Sequence, residues 1–244
     1  MTFTHSKKER EKLKYKLLIG DTIDNMGKNM ANTIKYLGFE TVYCSNYPDT
    51  LEKMLNEEHF DGCIFYALIM NENIKNFIRN CRNNYPQLKL YAIVATISDS
   101  VRLELLNLGV TECIVMPYIN CIACTEIAVD FYPEMELLPE IAEFLFRKKF
   151  PSALIGFYFL CTAVKIIATN PEASDFSSTE IYTAIAEKIN NTYDNVERGL
   201  RVMLSSAFQK GVIINNKIEH RRMKNKDLII LLAEEFRSIS GETI

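Results

Sequence analysis

Two arginines, Arg198 and Arg201, stand three residues apart in YDNVERGLRVMLSSAFQK, directly after a carboxylate, Glu197. Read as a helix, this stretch has an apolar stripe of Val196, Leu200, Met203, Leu204 and Ala207. Asp194, Arg198, Arg201 and Ser205 fall on the opposite side, flanked by Glu197 and Val202. Arginine forks pair with the acceptor edge of guanine, and carboxylates accept from cytosine amino groups, so these residue types at this spacing suit readout of a DNA major groove. Upstream, Ile181, Ile185 and Ile189 repeat at helical spacing until Asn190, Asn191 and Thr192 break the pattern. Two short helices around a tight polar turn give helix-turn-helix geometry. From these residues alone two readings stay open: a DNA-reading pair, or a solvated helical hairpin with a charged outer face.

The other reactive side chains supply little chemistry. Seven cysteines, scattered among apolar residues as at Cys63, Cys113 and Cys161, suit reduced, buried thiols. Cys121 and Cys124 have the spacing of a zinc or redox half-site, but no second such pair and no nearby histidine completes it. His5, His59 and His220 sit in polar or helical surface contexts, away from any plausible nucleophile. The expectation is therefore no catalytic residue, no metal and no cofactor.

The net charge of −3 carries no global basic signal, so any DNA contact must be local. Divided near Glu136, the chain has an excess of about four acids before that point and about one base after it. The first dozen residues lack the apolar core of a signal peptide, and no later apolar run is long enough to span a bilayer. A cytoplasmic protein with no membrane partner is expected.

The elements that must position these residues fall into two halves. From Lys16, short apolar runs (KLLIG, TVYC, GCIFY, LYAIVA, CIVM) alternate with helical patterns near 25–37, 49–57, 73–83, 99–108 and 120–131. Such alternation implies a parallel sheet covered on both faces: a flavodoxin-like, doubly wound α/β domain. Its functional edge lies at the C-terminal ends of the strands, which gathers Asp21, Tyr66, Ala95 and Met116 around one crevice. Asp21 there is equally readable as a cap on the following turn, and Tyr66 and Met116 as packing. Pro133 and Pro139 bracket the acidic stretch PEMELLP, expected to be exposed and to divide the chain into 13–132, a linker at 133–139, and 140–244. The last part shows helical patterns at 140–149, 152–168 and 227–239 around the helix pair, and reads as all-α. Between Gly211 and its final helix lies the basic stretch NNKIEHRRMKNKD, in which Arg221, Arg222 and Lys224 are expected to touch phosphates.

Residues 15–132 resemble the receiver domain of bacterial response regulators. That family takes a phosphoryl group on an aspartate ending the third strand, with an acidic pair, a hydroxyl residue and a lysine around it. Here Asp21 matches the first acid, whereas Thr22 stands at the second, Tyr66 at the acceptor, Ala95 at the hydroxyl position and Met116 at the lysine. Tyrosine forms no mixed anhydride, and one carboxylate is a poor site for a divalent ion that prefers several hard oxygens. The resemblance implies a pseudo-receiver that is not phosphorylated.

The C-terminal half resembles the effector domain of the stage 0 sporulation protein A family. FPSALIGFYFLCTAVKII, IYTAIAEKINNT, NVERGLR, AFQKG and KNKDLIILLAEEFR carry the likeness, in the family's order. The resemblance implies a response-regulator-type transcription factor of a sporulation phosphorelay. Its base or phosphate readout carries over onto Glu197, Arg198 and Arg201, while Asn195 replaces an arginine and Val202 a histidine.

Together these readings give a sequence-specific, non-enzymatic regulator of transcription. Its DNA-facing residues are Asn195, Glu197, Arg198, Arg201, Ser205, Arg221, Arg222 and Lys224. It is expected to bind double-stranded DNA as a homodimer, because one recognition helix buries too little surface for high specificity. The alternative is an interaction protein that does not read DNA and modulates a phosphorylatable relative or a phosphorelay partner.

Overall fold

The computed structural model describes residues 14–95, 98–189 and 191–241. His5, the polar leader and Asn190 of the expected turn lie outside them. In the first half, β1 (Lys16–Asp21), α1 (Met26–Tyr36), β2 (Glu40–Ser45), α2 (Pro48–Glu57), β3 (Gly62–Tyr66), α3 (Glu72–Asn84), β4 (Lys89–Val94), α4 (Asp99–Leu108), β5 (Glu112–Val115) and α5 (Asn120–Phe131) follow one another. All strand pairings are parallel, in the order β2-β1-β3-β4-β5. This is the flavodoxin-like order, in which each right-handed crossover lays a helix on one face of the sheet.

Because strand side chains alternate, each central strand serves two cores. Leu17, Ile19, Ile64, Tyr66, Tyr91 and Ile93 face the α1/α5 layer. Leu18, Cys63, Phe65, Leu90 and Ala92 face the layer that holds α2 and α3. Buried on both sides, β3 is apolar along its whole length, as a central parallel strand must be.

A 3₁₀ turn at Pro133–Met135 leads into α6 (Leu138–Arg147), α7 (Ile155–Thr169), α8 (Ser178–Lys188), α9 (Tyr193–Lys210), the strands β6 (Val212–Ile214) and β7 (Lys217–Glu219), and α10 (Asn225–Ser240). The segment 133–139 is exposed at Pro133, Glu134 and Glu136 but anchored at its flanks, since Tyr132 and Leu138 are buried. Pro139 lies in the first turn of α6, where its missing N–H costs no helical bond. The ammonium of Lys165 on α7 donates to the carbonyls of Glu134 (2.6 Å) and Glu136. One apolar core continues from the α1/α5 face of the sheet through α6 and α7 into the helical half. Across this junction the rings of Tyr36 and Tyr158 lie 5.9 Å apart.

The all-α expectation for the second half needs one correction: β6 and β7 form an antiparallel hairpin. Three β-branched residues, Val212, Ile213 and Ile214, enter a two-residue turn. Asn215 and Asn216 both take left-handed conformations there, with φ of 48° and 59°, which asparagine tolerates and which this hairpin turn requires.

Candidate nucleic-acid interface

The crevice at the C-terminal edge of the sheet holds little that is reactive. Asp21 ends β1, and its Oδ1 accepts the backbone N–H groups of Thr22 (3.0 Å) and Lys28 (3.1 Å), so this oxygen caps the turn and the start of α1. Thr22 Oγ1 accepts from the Met26 N–H at 3.4 Å. Tyr66, only 2% exposed, shares a hydrogen bond between hydroxyls with Tyr118 at 2.9 Å. Its peptide groups are gripped by the Asn46 side chain, which accepts from the Tyr66 N–H and donates to its carbonyl, each at 2.8 Å. Gly20 permits that grip, because a Cβ there would meet Asn46 Oδ1 at 2.1 Å. Burial, reinforced by the Tyr118 hydroxyl, pushes the Tyr66 phenol far above its ordinary value. Met116 is half-buried against the core, and Ala95 lies exposed just past β4.

Among the described residues no group of three or more His, Cys, Asp or Glu side chains could hold a metal ion. Cys121 and Cys124 are both buried on α5, and burial raises both thiols, Cys124 the further. Low-dielectric surroundings disfavour the thiolate that metal or redox chemistry needs.

On the helical half, α8 opens with a capping box. Ser177 Oγ accepts the Glu180 N–H, and the Glu180 carboxylate accepts the Ser177 N–H. Ile181 and Ile185 are buried, and Asn191 turns the chain back by donating its N–H to the carbonyl of Ala186 at 2.8 Å. Thr192 then caps α9 by accepting the N–H of Asn195. Val196, Leu200, Met203, Leu204 and Ala207 are fully buried. The helix lies tightly on α7: a Cβ at Gly156 would meet the Gly199 carbonyl oxygen at 2.1 Å, and one at Gly199 would meet the Phe159 ring at 2.7 Å. Such backbone proximity fixes the rotation of α9, and with it the face turned outward.

That outer face carries Asp194, Asn195, Arg198, Arg201, Val202 and Ser205, all exposed, with Glu197 half-exposed at its margin. The polar side chains are ordered by one another. Asn195 Nδ2 donates to Asn191 (3.0 Å), Arg198 donates to Asn195 Oδ1 (2.8 Å), and Arg201 pairs with Glu197 (3.1 Å). These exposed bonds are weak, so the arginine heads can exchange them for other acceptors.

The basic stretch beyond the hairpin folds back onto this surface. Arg222 donates to Ser205 Oγ at 3.1 Å and reaches Asn225 Oδ1 at 3.4 Å, while Asn225 Nδ2 donates to the Tyr182 hydroxyl at 2.8 Å. Arg222 is thereby placed beside α9, and Arg221 and Lys224 are exposed on the same segment. Sequence spacing gives no sign of this chain from α9 through Arg222 and Asn225 to α8, because its members are far apart along the chain. His220 packs against Gly211, and His59 lies 3.6 Å from Asp61 in the sheet half.

Residues 141–236 match the family model of the sporulation initiation factor Spo0A C terminal. The helical half therefore carries a Spo0A-type C-terminal domain. The sheet half is similar to a response regulator from Thermotoga maritima, with 17% identity over 47% of this chain and 95% of that one and a TM-score of 0.43. It is likewise similar to a CheY-like response regulator receiver domain protein from Methanospirillum hungatei JF-1, with 15% identity, 50% and 97% coverage and a TM-score of 0.44.

Proposed function

We propose that this protein is a sequence-specific DNA-binding regulator of transcription, non-enzymatic and cytoplasmic, whose receiver-like half does not accept phosphate. The observation that carries the reading is the outer face of α9, held outward by the close α7–α9 crossing and presenting Arg198 and Arg201 with Arg222 beside them. Arg198, Arg201, Asn195 and Glu197 are the base-facing groups. Ser205, Arg221, Arg222 and Lys224 fix the helix against the phosphate backbone. A homodimer on paired half-sites supplies the surface that one helix lacks. The sporulation-type domain supports a role in a sporulation programme. In the sheet half, Asp21 Oδ1 held by two backbone donors and the buried Tyr66, bonded to Tyr118, support the absence of phosphoryl transfer.

Selection of the full chain against random duplex DNA tests the proposal. The expected result is an enriched half-site motif whose affinity falls steeply with added salt, as contacts to several phosphates require. Failure to enrich any sequence, with no salt-dependent binding to duplex, would leave the interaction-protein reading in its place.

A further inference from the structure

Opposite the buried stripe of α9, Asn195, Arg198, Val202, Ser205 and Gln209 recur at alternating intervals of three and four residues, and so form one row along the helix. All five are exposed. This row is the part of α9 farthest from the core and the part that would enter a groove most deeply. Its middle member is apolar, since Val202 leaves 54% of its surface open to solvent. Its polar neighbours in the row have partners: Arg198 donates to Asn195, and Ser205 receives Arg222. Val202 has nothing to offer a phosphate or a base amino group, yet it stands in the row between Arg198 and Ser205, the residue that receives Arg222, with Arg201 next to it in the chain and already paired with Glu197.

A single exposed valine on a surface is ordinary, but one at the centre of a cation-flanked row has a narrow range of partners. In the major groove the apolar feature that a base pair presents is the C5 methyl of thymine. Resting on the DNA reading above, we infer that Val202 packs against a thymine methyl. Each half-site then carries an A·T pair opposite the midpoint of α9, beside the base pair that Arg198 reaches. The isopropyl group and the methyl exclude water from each other, and the flanking arginines hold the helix at that depth.

Replacing thymine by deoxyuridine removes this methyl and nothing else. On the duplex enriched by the full chain, such replacement at each thymine in turn should lower affinity roughly fourfold at one position per half-site, the effect of one buried methyl-sized group. Val202→Ala, a change at an exposed position, should bind the parent duplex about as weakly and become indifferent to the replacement. Val202→Thr, which keeps one methyl, should retain part of the sensitivity, and Arg198→Ala should keep all of it. An enriched site without a methyl-sensitive thymine overturns this inference alone, as does a Val202→Ala variant that remains fully sensitive. If Val202→Ala keeps the sensitivity and instead changes the oligomeric state without DNA, Val202 belongs to a contact between copies. A library that yields no enriched sequence overturns the DNA reading and this inference with it.

Discussion

The hydroxyls of Tyr66 and Tyr118 lie 2.9 Å apart, the first at the end of β3 and the second just beyond β5. They meet at the C-terminal edge of the sheet, near the end of β1 where Asp21 stands, and burial raises the Tyr66 phenol far above its ordinary range. Incubation with acetyl phosphate and magnesium should leave the mass and the oligomeric state of the protein unchanged. A labile gain of one phosphoryl group, lost in Asp21→Asn, would show that this crevice still does chemistry.

Gly156 and Gly199 allow α7 and α9 to meet backbone to backbone. Gly156→Ala forces a methyl onto a carbonyl oxygen that no rotamer change can move. It should lower unfolding stability by about 1–3 kcal/mol, read as a shift in denaturant midpoint, and weaken DNA binding by tilting α9. An unchanged midpoint would mean that the two helices separate at little cost.

Lys165 holds two carbonyls of the segment between the halves, although burial and the nearby charge of Lys188 lower its affinity for a proton. Lys165→Met removes the donor to both carbonyls and should speed proteolytic cleavage of the segment several-fold over the parent chain. Equal cleavage rates would show that the Lys165 bonds do not protect the segment.

Arg221 and Lys224 are exposed beside the face that Arg222 approaches. Substituting either by Ala should weaken binding to all duplexes alike and lower the salt slope by about one unit per contact removed. A loss confined to one sequence would instead make that residue a base reader.

Most of the fold was legible because burial imposes a period on the sequence. The apolar runs of β1 and β3, buried on both faces, announce a parallel sheet, and the repeat of Ile181, Ile185 and Ile189 followed by the stripe of α9 announces the helix pair. Pro139 was misleading: it read as the end of a linker, whereas proline fits the first turn of α6. The β6–β7 hairpin shows no period in the sequence because each strand has only three residues, and its one local signal is the Asn215–Asn216 turn. The placement of Arg222 on Ser205 depends on how α10 and the hairpin return to α9, which no local spacing encodes.

The central claim is that the outer face of α9 reads bases, and the double variant Arg198→Ala, Arg201→Ala on an enriched duplex at physiological salt measures it most directly. Both side chains project from the exposed side of α9, so the fold should survive, as circular dichroism would verify. The account predicts a loss of about 1–3 kcal/mol for each arginine that reads a base, with a smaller loss on unrelated DNA. Equal binding of the parent and the double variant to the enriched site would contradict it.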